Sequence, residues 1–275
     1  MSPDDTPVLQ SSQKQFNVLE QLTQADGAGI TELSEATSLP KSTVHLHLQS
    51  LIEAGYVVKS GQEYSPSLKL LRMGEQTRES VELYREGREE IDSLARETNE
   101  LVNLGLFENG KVRLLYLRET HGDSPTEPPS VSTEFEATRQ RVSVLSEDYG
   151  HAAGTTLDIH ATAMGKAILA ALSRETVERI IDEHGLPRHT EQTITSYEEL
   201  FAELETIRTR GYAEDVEGRA EDLYCVAAAV SNNDEPIGAV SITGLSDQWN
   251  GEYQERLADK IIDTARMIEI KLAHS

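Results

Sequence analysis

One stretch limits what this chain can fold into more than any other: residues 29–70, GITELSEATSLPKSTVHLHLQSLIEAGYVVKSGQEYSPSLKL. It reads as helix, turn, helix and then a short β-hairpin. Thr31 is placed to cap a helix over residues 32–36, with Glu32 in the first turn, where the helix dipole favours an acid. Thr37-Ser38 breaks that helix. A second helix starts at Ser38 or Leu39, and Pro40 is tolerated because first-turn amides need no intrahelical partner. In it Val44, Leu48, Leu51 and Ile52 recur at i, i+4, i+7 and i+8, one buried stripe. The opposite face carries Ser42, Leu46, Gln49 and Glu53, flanked by Thr43, His45 and Ser50. Gly55 ends the helix where a left-handed residue is wanted. Tyr56–Lys59 and Glu63–Ser65 flank Ser60-Gly61-Gln62, a Gly-containing hairpin loop.

This is the element order of a winged helix-turn-helix, a module whose second helix lies in the DNA major groove. A plain helical hairpin beside a β-ribbon has the same periodicity. The outward face decides between them, because small hydroxyls, an amide and imidazoles suit base edges and phosphates. Lys41, Ser42, Thr43 and His45 stand at the amino end of the second helix, where amides and short side chains meet DNA. Gln49 has the chemistry to read adenine bidentately. Leu46 faces outward, toward either a thymine methyl or a dimer or wing contact. Lys59 and Gln62 on the wing are candidates for the backbone or the minor groove.

At these residues the chain resembles the DNA-binding half of IclR-type transcriptional regulators, especially their archaeal branch. The resemblance rests on Glu32-Leu33, on Pro40-Lys41-Ser42-Thr43-Val44-His45 with His47-Leu48, on Gly55-Tyr56-Val57-Val58, and on Ser67-Leu68, Leu70-Leu71 and Gly74.

At 275 residues and with no apolar run approaching the roughly 18 needed to cross a bilayer, two ordinary domains and no membrane are expected. The first ten residues, MSPDDTPVLQ, lack the basic and apolar regions of a signal peptide. The one cysteine, Cys225, fits a cytoplasmic chain without a disulfide framework. A net charge of −23 is unusual for a DNA-binding chain. Residues 1–70 hold four Lys/Arg against eight Asp/Glu, a net of −4, which leaves −19 for residues 71–275. Such acidity is read as adaptation to a salt-rich cytoplasm, since at about 1 M salt the Debye length falls to about 3 Å and self-repulsion fades. An acidic regulator without salt adaptation is the alternative.

In chain order, residues 1–12 read as a disordered tail and residues 13–70 as the winged helix-turn-helix. Phe16, Leu19, Leu22 and Ala25 mark its first helix. Ser65-Pro66 opens a further helix, and residues 71–97 form a charged connector helix, broken near Gly87. Residues 98–275 are the second domain. It begins with strands 101–107 and 111–117 around the hairpin signal Asn109-Gly110. A long loop is expected over 119–137 and a strand over 138–145. Helices follow from about His160, over 174–184, and over 197–210 with Ser196 as cap. Glu235-Pro236 reads as a turn, residues 237–244 as the last strand and residues 252–272 as the closing helix.

The resemblance extends here too. DIHATAMGKAILAAL (158–172) is similar to the IclR effector-domain segment L-H-A-T-A-x-G-K-A-x-L-A, with Asp158-Ile159 where Pro-Leu is common. YAEDVEGRAEDLYCVAAAV (212–230) is similar to a second family segment, with three departures: Gly218 for Glu, Asp222 for Gly and Ala229 for Pro. The resemblance implies a GAF-like fold with a small-molecule pocket, and effector contacts at Ala161, Gly165, Asp215, Cys225, Ser241 and Thr243. Composition alone gives only α+β for this half. Ser241 and Thr243 share one strand face, where they either hold a carboxylate or sugar hydroxyl or simply fill a half-buried strand. Cys225 as a nucleophile lacks a recognisable dyad motif, and a buried small hydrophobe is the plainer reading. His45 and His47 point apart on their helix, and His184 with His189 is a weak zinc signal.

The whole is therefore expected to be α+β: an N-terminal winged helix-turn-helix joined by a helix to a GAF-like α/β effector-binding domain. The expected partners are a double-stranded DNA operator, a small-molecule effector (an organic or sugar acid) and a second copy of the chain, as homodimer or tetramer. No cofactor, metal or catalytic residue is expected. The competing readings are an enzyme using Cys225, and a constitutive DNA-binding protein whose second domain only oligomerises.

Overall fold

The computed structural model describes residues 8–25, 27–119, 152–247, 249 and 251–275. The strand expected over 138–145, and all but the first residue of the loop expected over 119–137, lie outside them. The chain separates into two compact units, Met1–Glu79 and Ser80–Ser275.

The first unit holds α1 (Gln10–Gln24), α2 (Ile30–Thr37), α3 (Lys41–Glu53), β1 (Val57–Ser60) and β2 (Glu63–Pro66), with α4 (Lys69–Ser80) leading out of it. Helix α1 begins inside the tail expected over 1–12. It buries Val18 and Leu22, whereas Phe16 is 64% exposed and Ala25 lies beyond the helix. The reason is angular: Phe16 stands six residues before Leu22, about 120° round the helix, while Val18 stands about 40° away. Helix α2 starts at Ile30 with Gly29 as its N-cap, not Thr31, and the Gly29 amide donates to the Glu32 carboxylate at 2.7 Å. Ser38, at φ 55°, ends it. Helix α3 starts at Lys41, later than expected, because Leu39 precedes a proline and is pushed out of the helical region. Pro40 is its N-cap.

The expected stripe is in place: Val44, Leu48 and Leu51 close a core with Val18, Leu22, Leu33, Val57 and Tyr64, and Ile52 packs on its edge. Gly55, at φ 78°, lets the Tyr56 amide reach back to the Leu51 carbonyl at 2.8 Å and the Gly55 amide to that of Ile52 at 2.9 Å. The wing turn is shorter than expected, two residues, with Ser60 paired to Glu63 and Gly61 at φ 61°. Pro66 ends β2 and does not open a helix. The Lys69 ammonium donates to the Ala54 carbonyl at 2.7 Å and sits 4.2 Å from the Tyr56 ring centre, which ties the start of α4 to the end of α3.

The connector is two helices. The chain leaves α4 at Ser80, passes an extended Val81 and starts α5 (Glu82–Thr98). The expected break at Gly87 does not occur. A Cβ there would lie 3.0 Å from a Leu104 methyl, so the glycine lets α5 press close to the sheet.

The second unit continues with β3 (Leu101–Glu108), β4 (Lys111–Arg118), β5 (Thr156–Leu157), α6 (Ala163–Ala171), α7 (Arg174–His184), α8 (Tyr197–Arg210), β6 (Ala213–Val216), β7 (Leu223–Asn232), β8 (Glu235–Leu245) and α9 (Gly251–Leu272). Its sheet runs β5-β4-β3-β8-β7-β6, antiparallel throughout. Helices α5 and α9 cover one face through Ile91, Leu94, Ile261 and Ile268 against Val102, Val226, Val240 and Ile242. Helices α6, α7 and α8 cover the other through Ile168, Ile181 and Leu204 against Val112, Ala227 and Ala239. Asn109-Gly110 makes the expected β3–β4 hairpin, with φ 51° and 72°. Asn233-Asp234, at φ 51° and 63°, makes the β7–β8 turn, so Glu235-Pro236 opens the strand and is not itself the turn. A register shift between Val230 and Ser231 accommodates the proline, which cannot donate to the ladder.

Candidate functional site

Among the described residues, two places concentrate exposed or unsatisfied chemistry. The first is the solvent side of α3. Lys41, Ser42, His45, Leu46 and Gln49 are all exposed, Leu46 at 68%, and Thr43 is half-buried. The helix owes this two-sidedness to its period: apolar residues at 44, 48 and 51 pull one side into the core and leave the polar side outward. No acid occurs between Lys41 and Ile52, in a chain with 48 Asp and Glu, so the helix is locally spared the charge that would repel phosphate. Ser50 is committed, its hydroxyl donating to the Leu46 carbonyl at 3.1 Å. On the wing, Gln62 stands exposed at the turn and the Lys59 ammonium lies 5.2 Å from the Tyr64 ring centre. Glu63 beside them is also exposed, which weakens the wing's attraction for a backbone.

The second place is a cavity of about 20 Å³, room for about one water, between the middle of the sheet and the start of α6. Of the residues expected at an effector site, Asp215, Cys225, Ser241 and Thr243 line it. Ala161 and Gly165 are buried but do not line it. Helix α6 starts at Ala163, three residues after the expected His160, because Thr162 is the N-cap and its hydroxyl accepts the Gly165 amide at 3.1 Å. A Cβ on Gly165 would lie 1.9 Å from the Ile159 carbonyl oxygen, so this glycine serves close backbone packing.

Asp215 is 4% exposed. Its carboxylate accepts the Gly218 amide at 3.1 Å and the Arg219 amide at 3.4 Å, and the buried Lys166 ammonium lies 3.8 Å away. Burial pushes its pKa above the usual carboxylate range, opposed first by Lys166 and then by the two amides. This explains one family departure: a Cβ at Gly218 would come within 2.3 Å of the Asp215 oxygen. A second departure, Asp222, sits at φ 62°, where glycine is easier and aspartate is tolerated. The turn between them is held down from outside, since the Thr193 hydroxyl donates to the Gly218 carbonyl at 2.6 Å and that of Thr190 to the Glu217 carbonyl at 2.7 Å.

Burial, with Asp215 adding to it, pushes the Cys225 thiol up to about 12. Its sulfur lies 3.2 Å from the Thr243 hydroxyl, and that hydroxyl also accepts from Asn103 Nδ2 at 3.2 Å. The two histidines weighed as a metal pair take different partners: His184 Nε2 meets the Asn109 carbonyl at 3.0 Å, and His189 Nε2 meets Asp158 Oδ2 at 3.0 Å.

Sequence reasoning missed Asn103, Thr162, Met164 and Arg219 in the lining, and Lys166 behind it. Two signals were there. Asn103 interrupts the apolar run LVNLGLF, and Lys166 interrupts a helix that is otherwise apolar; a polar group in such company has a partner or a task.

Comparison with known proteins agrees with both halves. A model of the IclR helix-turn-helix domain matches residues 11–61, and one described as the C-terminal domain of bacterial transcriptional regulator IclR matches residues 136–270. The chain is 31% identical over 264 residues to the HTH-type transcriptional regulator KdgR of Escherichia coli strain K12, spanning 95% of this chain and 92% of that one. It is 28% identical over 258 residues to the probable HTH-type transcriptional regulator ArcR of Halobacterium salinarum, spanning 93% and 90%. Among solved structures, an IclR homolog from Microbacterium hydrocarbonoxydans complexed with 4-hydroxybenzoate has the same fold, with a TM-score of 0.74 at 17% identity over 96% of this chain and 100% of that one.

Proposed function

The chain belongs to the IclR family of transcriptional regulators, and on that premise we propose that it reads a palindromic operator as a homodimer and adjusts its grip to a small organic or sugar acid. It is a DNA-binding transcriptional regulator and not an enzyme. The finer reading places the winged unit, residues 13–70, on DNA and the effector in the domain at 98–275. The connector, residues 71–97, carries the signal between them. Coupling requires that the effector bind the two dimer arrangements with different affinity. The regulated genes are metabolic ones, and the place of action is the cytoplasm. Among the described residues no helix is long and apolar enough to cross a membrane.

The observation that carries the reading is the exposed side of α3, which holds no acid from Lys41 to Ile52. Ser42, His45 and Gln49 are free to meet base edges, and Leu46, a large apolar residue left in water, suits a thymine methyl. Footprinting upstream of neighbouring metabolic genes, repeated with Gln49→Ala, tests it. A protected palindrome that weakens in the variant is the expected result, and protection unaffected by changes along α3 refutes it.

A constitutive DNA-binding protein whose second domain only oligomerises is the second reading, favoured by the small cavity. A metabolite cannot enter about 20 Å³ without some of the lining moving apart. Calorimetric titration with organic acids separates the readings: binding coupled to a change in operator affinity supports the sensor, and uniform silence supports the constitutive protein.

A further inference from the structure

Asn103 lines the cavity and keeps one buried polar atom without a protein partner. It lies on β3 in the middle of the sheet and is 1% exposed. Register explains its neighbours: Asn103 stands opposite Ser241, and Leu101 opposite Thr243. Its Nδ2 donates to the Ser241 hydroxyl at 3.3 Å and to the Thr243 hydroxyl at 3.2 Å. Its Oδ1 has no hydrogen-bond partner among the described residues.

A buried carbonyl without a protein donor needs a water or a ligand as its partner, and the cavity beside it gives room for one. Here both Nδ2 protons are committed to strand β8, which fixes the amide plane and leaves Oδ1 with unused lone pairs. Arg219 also lines the cavity, and its charge already acts on Asp215.

We propose that Asn103 is a specificity-determining residue of the effector site, accepting a hydrogen bond from a ligand hydroxyl, so that the effector is a hydroxy acid and not its oxo counterpart. This rests on the sensor reading above and narrows it. A hydroxy acid and the oxo acid of the same carbon skeleton carry the same charge and nearly the same shape. They differ at one group, a donor in the first and an acceptor in the second. Against Oδ1 the hydroxyl pairs, while the oxo group sets one lone pair against another. A buried site built for a hydroxyl discriminates strongly against an analogue lacking it.

The experiment is calorimetric titration of the full-length protein with matched pairs: glycolate and glyoxylate, lactate and pyruvate, glycerate and hydroxypyruvate, gluconate and 2-oxogluconate. The expected result is at least one pair in which the hydroxy acid binds about tenfold or more tightly than the oxo acid. In Asn103→Leu, of similar size, the ratio falls toward one while the oxo acid changes less than about threefold. The wild-type ratio is decisive even if that variant fails to fold. Ratios near one for every pair that binds overturn the proposal and leave acid sensing intact. A reversed ratio also overturns it, because it means the amide stands the other way round with Nδ2 facing the ligand. If none of the eight acids binds, acid sensing itself fails, and this inference falls with it.

Discussion

Replacing Lys166 by methionine tests the electrostatics of the second unit directly. The Lys166 ammonium is 3.8 Å from Asp215 Oδ1, with both side chains under a tenth exposed. Methionine keeps the length and apolar stem of the side chain and removes the charge. Asp215 is then left with the Gly218 and Arg219 amides, and with whatever field the Arg219 guanidinium supplies. Breaking a buried pair from one side costs about 3–5 kcal/mol. The lower end applies here, because 3.8 Å is long for a hydrogen bond and two amides remain. For a unit of this size each kcal/mol moves the melting temperature by about 2–4 °C, so a fall of about 6–12 °C is expected.

The pH dependence gives the sharper test. Asp215 is already raised above the ordinary carboxylate value by burial, and losing Lys166 raises it further. A group with a raised folded pKa favours folding below its unfolded pKa, and that contribution is lost as pH rises through the folded value. The difference between wild type and Lys166→Met therefore grows with pH above the usual carboxylate range, and shrinks in acid as Asp215 takes up a proton. Adding Asp215→Asn removes the stranded charge and recovers part of the loss. Thermal unfolding by circular dichroism from acid to mildly alkaline pH measures all of this. A fall of less than about 2 °C, or a larger difference in acid than in alkali, refutes the argument.

Other outcomes follow from the same structure. Gln49→Ala lowers affinity for the specific operator by about 1–3 kcal/mol, roughly 5- to 150-fold, and leaves non-specific DNA binding nearly unchanged, as read by fluorescence anisotropy at fixed salt. Gly165→Ala places a methyl 1.9 Å from the Ile159 carbonyl oxygen, which no side-chain motion relieves, so soluble yield of the folded chain collapses, while Gly74→Ala, with open space around it inside α4, is tolerated. Cys225, its thiol pushed up to about 12, reacts with a disulfide reagent at pH 8 far more slowly in the native protein than after denaturation. With a net charge of −23, melting temperature rises between about 0.1 M and about 3 M KCl; a protein most stable in dilute buffer ends the salt-adaptation reading.

What the sequence determined by itself was whatever depends on neighbours within about ten residues. The stripe Val44, Leu48, Leu51 made α3 a helix with one buried side, and so left Ser42, Leu46, Gln49 and Glu53 exposed. Asn109-Gly110 set a hairpin by turn chemistry alone. Element ends were less secure, because they turn on single backbone angles: the extended Val81 divides the connector, and the Asn233-Asp234 turn moves Pro236 into a strand. The cavity was decided only by tertiary structure. Asn103 faces Ser241 across 138 residues of chain, and Lys166 faces Asp215 across 49, so no local pattern predicts which strands and helices bring them together. The same packing set Gly165 against Ile159 and kept it out of the lining, although its neighbours in sequence line the cavity. Periodicity is written in the chain because it acts along the chain, whereas a pocket is made by register and layer packing, which act across it.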